Sequence, residues 1–217
     1  MSVLAVPCNP SNYGGLRGSR VKYIVIHYTA NKGDTAAANG QYFASNERLY
    51  ASAHWFVDEK DRVLSVPENF VAYHCGGVAY VHPECRNGNS IGVELCSEWD
   101  AERGYYFNEE TIANAQWLVR ELMAKYSIPE ERVIRHYDVT GKNCPAPFVG
   151  EHKAAWEEFL GGLTMYAKFE NVPEWAKATV QKLMDKDILL GDGNGNPNLS
   201  GDMVRMLVIL DRAGVFD

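Results

Sequence analysis

Arg135-His136-Tyr137-Asp138-Val139-Thr140-Gly141-Lys142-Asn143-Cys144-Pro145 places a histidine, a lysine and a cysteine in one short stretch. The run Arg132-Val133-Ile134 that feeds into it reads as a strand. Gly141 then marks a turn, and Pro145 and Pro147 stop any regular continuation. The expected arrangement is a last strand over residues 132–138, with His136 at its end and Lys142 and Cys144 on a loop that folds back over it. Imidazole and thiolate are borderline and soft ligands suited to zinc. Lys142 would set an ammonium beside such a metal. A His-x7-Cys pair alone does not define a site, so a third ligand must come from elsewhere in the chain.

The chain has 217 residues, enough for one good core and a small second unit. Its 46% apolar and 23% charged residues are those of an ordinary soluble globular protein. A membrane span needs roughly 20 consecutive apolar residues, and no run approaches that. Residues 1–8 lack a basic segment followed by a long apolar core, so no signal peptide is read. The net charge of −7 argues against nucleic acid as a partner. The five cysteines, at positions 8, 75, 85, 96 and 144, do not suggest a disulfide framework. Cys75 and Cys85 flank a short loop and could pair after release from the cell.

Upstream, Tyr23-Ile24-Val25-Ile26-His27-Tyr28-Thr29 is apolar on both faces, as a central strand of a covered sheet would be. His27 lies near its C-terminal end. It is either a satisfied buried histidine or a ligand at a sheet edge, where sites form. Asp34 is placed to cap a helix over about residues 35–48. Residues 52–58 and 63–66, joined by a turn at 59–62, read as a β-hairpin. His54 there either faces the same site or packs against it. His74, in a loop with Gly76 and Gly77, either contacts ligand or is an idle exposed residue.

Asn89-Ser90-Ile91-Gly92-Val93-Glu94-Leu95-Cys96 is the next strand. Alternation puts Ile91, Val93 and Leu95 on one face and Gly92, Glu94 and Cys96 on the other. An acid in so apolar a strand is costly unless paired or near a metal. Glu94 is therefore the most informative carboxylate, with a satisfied structural acid as the bland reading. Asn108 is expected to cap a helix to about Tyr126, burying Ile112, Ala115, Val119, Leu122 and Tyr126. A closing helix over about residues 149–159 carries Trp156 and Phe159 inward. Strands and helices interleave, which predicts an α/β fold: a mixed central β-sheet flanked by helices.

Gly161-Gly162 suggests a boundary, giving a first domain over 1–160, a linker over 161–170 and a small helical domain over 171–217. In the latter, a helix with Pro173 near its start contains Trp175, Ala178, Leu183 and Ile188 and ends at Gly191. A second helix from Ser200 and Asp202 is expected to hold Met203, Met206, Leu207 and Leu210 inside. Two short helices bury little by themselves, so this unit is expected to pack on the first domain or on another copy. Asp192, Asn194 and Asn196 fit the first three ligand positions of a calcium loop. Pro197 and Met203 stand where that loop needs a glycine and a bidentate acid.

His27, His136 and Cys144 together make three protein ligands and leave one position open, the pattern of catalytic zinc. Glu94 would then carry the proton of an attacking water to a leaving nitrogen, and Lys142 would stabilise an oxyanion. That set suits amide hydrolysis.

On residues 23–29, Ser52-Ala53-His54, Asn89-Ser90-Ile91-Gly92-Val93-Glu94 and residues 136–145, the chain resembles the zinc-dependent N-acetylmuramoyl-L-alanine amidases. This is the type shared by phage endolysins, bacterial autolysins and peptidoglycan recognition proteins. The resemblance spans roughly residues 15 to 160, with the motifs in family order. It implies zinc on His27, His136 and Cys144, with Glu94 and Lys142 catalytic. It also implies a substrate groove bordered by His74, His54 and Asn89. Many members carry an aspartate as third ligand; the cysteine here is similar to the endolysin and recognition-protein branches. Residues 175–193 resemble one S-layer-homology repeat, a unit that binds cell-wall polymers. Ser200-Gly201-Asp202-Met203-Val204-Arg205 departs from that family's Thr-Arg-Ala-Glu-like motif.

The resemblance implies an enzyme that cuts between N-acetylmuramate and L-alanine in bacterial peptidoglycan. The expected setting is a phage endolysin, made in the host cytoplasm and acting on the wall after release. An autolysin of the same activity is the nearest alternative. A binding module without catalysis and a structural zinc domain are the others. The tail would bind a secondary wall polymer or join copies into a homo-oligomer.

Overall fold

The computed structural model describes every residue except Met1, Ala167, Asp192, Asn194 and Asp217. Asp192 and Asn194, two residues of the calcium reading and of the tail loop, thus lie outside the described residues. In chain order, the first part contains β1 (Ser2–Ala5), β2 (Tyr13–Leu16), β3 (Tyr23–Tyr28), α1 (Ala36–Ser45), β4 (Trp55–Val57), β5 (Asp61–Leu64), β6 (Phe70–Ala72) and β7 (Ser90–Leu95). It continues with β8 (Glu98–Asp100), β9 (Gly104–Tyr106), α2 (Glu109–Tyr126), β10 (Val133–Arg135), α3 (His136–Thr140) and α4 (Lys153–Gly161). The second part holds β11 (Met165–Tyr166), α5 (Glu174–Asp185), β12 (Leu199–Ser200) and α6 (Gly201–Arg212). Contacts divide the chain into two compact units, Met1–Trp156 and Glu157–Asp217.

The first unit is a mixed α/β fold around a six-stranded sheet of order β1-β5-β4-β7-β3-β10. Within this sheet only β4 and β5 pair antiparallel, as the hairpin expected from the sequence. The uniformly apolar β3 is explained by cover on both faces. Ile24 and Ile26 lie level with Ile91 and Val93 of β7, all fully buried, on the face against which α2 packs. Tyr23 and Val25 look the other way, into a cluster with Cys75, Cys85 and Val139. Ala36 of α1 packs on that second side too, with Phe56, Val63 and Cys96. Each large apolar side chain buried in this way contributes about 1.5–3 kcal/mol.

Register decides where the chemistry falls. β3 and β7 run parallel with His27 beside Glu94. β10 runs parallel on the other side of β3 with Arg135 beside Ile26, so His136 follows at the level of His27. Neighbouring strands are about 4.8 Å apart, so three polar residues from distant parts of the sequence emerge together at one sheet edge.

Several expectations are corrected in detail. The last strand ends at Arg135, and His136 opens a one-turn helix in place of strand and loop. The Asp138 carboxylate accepts from the Arg135 backbone N–H, which caps that turn, and Gly141 closes it at φ 77°. Thr35, not Asp34, caps α1, accepting from the Ala38 N–H. The buried stripe of α2 includes Leu118, while Ile112 and Tyr126 stay partly exposed. Two 3-10 turns precede α4, which starts at Lys153. All five cysteines are free and buried, Cys75 and Cys85 included.

Residues 161–170 are not a linker. They carry the end of α4 and β11, and β11 pairs with β12 inside the second unit. Gly201, at the start of α6, serves close packing there: a Cβ on it would lie 2.8 Å from the Gly161 carbonyl oxygen. In that unit Ala176 and Val180 of α5 meet Val204 and Val208 of α6 in one core. Of the residues expected inward on α6, Leu207 packs against this core, but the face is centred on Val204 and Val208 and not on the methionines. Met203 and Met206 are 51% and 56% exposed, and on α5 Trp175 is 52% exposed. Among the described residues no helix is long and apolar enough to cross a membrane.

The phase of α6 has a direct test. Val208→Asp puts an unpaired charge into the core of the second unit and should destabilise it by several kcal/mol. Met206→Asp sits on the exposed face and should stay within about 0.5 kcal/mol of the parent. Denaturant unfolding followed by circular dichroism distinguishes the two, and equal losses would refute the observed phase.

Candidate active site

A cleft of about 280 Å³ opens at the sheet edge where β3, β7 and β10 end. His27, His74, Glu94, His136, Lys142 and Cys144 all line it. Cys144 is carried back over the sheet because its carbonyl accepts from the Tyr137 N–H at 2.8 Å. Its Sγ lies 3.7 Å from His27 Nδ1. One donor atom each of His27, His136 and Cys144 lie within 4.8 Å of one another, and all three residues are buried. The three ligands expected from the sequence are thus brought into one cluster by the fold.

His136 is 3% exposed, yet apart from a weak approach to the Gly76 backbone neither ring nitrogen meets a hydrogen-bond partner. Buried polar atoms left so are rare, because desolvation without replacement costs about 1–3 kcal/mol. Glu94 adds a second orphan, since its Oε2 is closed off without a partner although the residue itself borders the cleft. The electrostatics agree. Burial holds His27 and His74 well below the usual imidazole range, and the charges of neighbouring histidines add to the effect. Burial also lowers His136 to about 4, helped by the Lys142 charge. It pushes the Cys144 thiol up to about 12, with Glu94 adding to the rise. The Glu94 carboxyl is raised to about 8 by burial; Lys142 pulls it down and Asp34 pushes it up.

These groups are all driven towards their neutral forms. Neutral imidazole is the ligating form, and a thiol gives up its proton to a cation that binds there. One imidazole nitrogen each from His27 and His136, the Cys144 thiol and an open side of the cleft form a donor set that fits zinc.

Two expected groove residues lie elsewhere. His54 is fully buried below the cleft and does not line it. Its Nδ1 accepts from the Gly92 N–H, and its Nε2 faces the Phe70 carbonyl with the Arg17 guanidinium alongside. Burial lowers it to about 3, so it is a neutral packing histidine. Asn89 is used up in its own turn, accepting from the Arg86 N–H and donating to the Glu84 carbonyl. Short amides bond their local backbone in this way. His74 does line the cleft but is only 8% exposed, packed edge-on against His27. Sequence reasoning passed over Tyr28, Asn39 and Tyr73 on the cleft wall. Tyr28 and Tyr73 stand next to His27 and His74, which is a usable signal; Asn39 on α1 carried none.

Residues 17–147 match the sequence profile of the N-acetylmuramoyl-L-alanine amidase family. The chain belongs to that family. It is 40% identical over 158 residues to the N-acetylmuramoyl-L-alanine amidase BlyA of Bacillus subtilis, covering 66% of this chain and 41% of that protein. It is 39% identical over 189 residues to the amidase CwlL of Bacillus licheniformis, covering 80% of this chain and 51% of that protein. The matched stretch thus spans about half the length of these curated relatives or less. Among solved structures, the catalytic domain of XlyA superposes with a TM-score of 0.62 at 29% identity, over 75% of this chain and 99% of that one. PlyL gives 0.60 at 30% identity, over 75% and 97%.

The raised Glu94 carboxyl has a stability consequence in metal-free protein. Its folded value of about 8 lies above the ordinary 4.5, so the folded chain holds the proton more tightly than the unfolded chain between those limits. The stabilisation this group provides is present below 4.5 and is lost as pH rises through 8. Glu94→Gln cannot ionise and should flatten the fall in Tm with rising pH across that window. Thermal melts of metal-free parent and variant check this, and parallel curves would mean that Glu94 ionises without penalty.

Proposed function

We propose that this chain is a zinc-dependent N-acetylmuramoyl-L-alanine amidase that hydrolyses the amide between N-acetylmuramic acid and L-alanine in bacterial peptidoglycan. The observation that carries this reading is the buried His27–His136–Cys144 cluster beside an acid with an unpartnered oxygen, in a chain of this family. Zinc held there would act as a Lewis acid on the scissile carbonyl and acidify a water. Glu94 moves the proton. It would take a proton from the water as a carboxylate, the form a bound cation nearby favours, and hand it to the leaving nitrogen. Lys142, exposed at the cleft mouth, presents its ammonium to the oxygen on which negative charge develops. His27, His136 and Cys144 would hold the metal, and the sheet edge fixes their spacing.

The setting that fits is the cell wall, reached after release from the host cytoplasm as a phage endolysin or as an autolysin. Retention of Glu94 and Lys142 with the ligands favours catalysis over a binding module. The second unit exposes Trp175, Leu190, Met203 and Met206, which supports a contact role for it, either to a secondary wall polymer or to another copy. A chain ending just after Gly161 should weaken lysis of whole cells but spare small muropeptides if the unit targets the wall. It should change the mass found by light scattering if the unit joins copies.

Mass spectrometry of digested wall tests the bond cut: new L-alanine amino termini with intact glycan are expected, and cut glycan or cut cross-links would overturn the assignment. Glu94→Gln should lower kcat about 10²–10⁴-fold while zinc content stays at one per chain. Lys142→Ala should lower kcat about 10²–10³-fold, and an effect confined to KM would make it a substrate-binding residue. Zinc binding at pH 7 should release about one proton from the Cys144 thiol, read by calorimetry in buffers of different ionisation enthalpy.

A further inference from the structure

His74 has no exposed nitrogen to offer a substrate, and both its ring nitrogens are engaged inward. Its Nδ1 lies 3.1 Å from His27 Nε2, and its Nε2 lies 3.1 Å from Ser90 Oγ. Ser90 Oγ in turn lies 2.7 Å from the Arg86 carbonyl oxygen. That last contact fixes the direction of the chain. A carbonyl only accepts, so the short contact requires the Ser90 hydroxyl to donate to it. Ser90 Oγ then accepts from His74 Nε2–H. A neutral imidazole carries one proton, so His74 Nδ1 is bare and accepts from His27 Nε2–H. His27 Nδ1 is left bare in turn, and it is the nitrogen that faces Cys144.

The surroundings hold His74 for this task. Asn87 Oδ1 accepts from the backbone N–H of both His74 and Cys75, at 3.1 and 2.8 Å. Gly92 makes room for the ring, since a Cβ there would lie 2.5 Å from His74 Cγ. A ligating histidine is commonly oriented by what its other nitrogen touches, usually a carboxylate, carbonyl or water. Here a second histidine takes that place.

We propose that His74 is a positioning residue: through the chain Arg86 carbonyl, Ser90 hydroxyl, His74, it locks His27 in the Nε2–H tautomer with Nδ1 bare towards the cleft. This rests on the metal reading above only for its use, because the tautomer itself belongs to the metal-free protein.

The test reads ring nitrogens and metal affinity separately. Two-dimensional ¹⁵N NMR of metal-free protein at neutral pH should show His27 and His74 each protonated at Nε2. Either one protonated at Nδ1 overturns the proposal. Ser90→Ala, a small change that should leave the fold intact, should allow His74 to carry its proton on either nitrogen and mix the His27 tautomers. An unmixed His27 pattern in that variant also overturns the proposal. His74→Ala should weaken zinc binding about 10–100-fold in competition with a chromophoric chelator. His74→Gln, whose carboxamide oxygen can accept from His27, should recover most of that loss. A folded His74→Ala protein with parental affinity counts against the role; if that variant does not fold, the parent and Ser90→Ala spectra decide. Should the parent bind no zinc at all, the metal reading falls, and the nitrogen pattern alone decides this inference.

Discussion

The parallel pairing of β3 with its two neighbours is the constraint on which the rest depends. His27 beside Glu94, and His136 one step beyond the Arg135–Ile26 pair, are consequences of backbone hydrogen bonds between apolar strands. The hydrophobic core therefore does the positioning. α2 covers one face, α1 and the loop around Cys75 and Cys85 cover the other, and polar side chains emerge only where the strands run out. Ligands follow the carboxyl ends of parallel strands in open α/β sheets for the same reason.

Burial gives this edge its electrical character. Three imidazoles, a thiol and a carboxyl are gathered at this edge and desolvated by burial, and each is driven towards its neutral form. Lys142 is the one cation of the cleft lining among the described residues. Such a cluster is unfavourable to the folded chain by itself, since polar atoms of His136 and Glu94 are desolvated without return. Function and stability are in opposition at this point, as is usual where side chains are held ready for chemistry.

Much of this was legible in the sequence. The double-sided apolar run at 23–29, the hairpin at 52–66 and the period-two alternation at 89–96 predict the sheet. Glu94 stood out because an acid in an apolar strand demands a reason, His27 because it lies near the end of an apolar strand, and His136 and Cys144 because two metal-suited side chains share one short stretch with a lysine. The misses have physical causes. The α3 turn depends on Asp138 reaching back to the Arg135 N–H, a contact that propensity does not show. The face of α6 was misphased because methionine looks like core, whereas Val204 and Val208 meet the small Ala176 of α5. His54 and Asn89 were assigned by resemblance, yet His54 is held by Gly92 and Arg17, which only the fold brings near, and Asn89 by Arg86 and Glu84 of its own turn.

β7 is the element least open to change. Ser90, Gly92 and Glu94 lie along one of its faces, and they carry respectively an anchor, a gap and an acid. Because side chains alternate, a one-residue slip of this strand against its neighbours would turn all three away from His74 and the cleft and bring Ile91 and Val93 round in their place. The loop tip at 78–80, with Val78 in solvent, bears no such load. Length variation among natural homologues should accordingly gather in that loop and be absent from the six residues of β7.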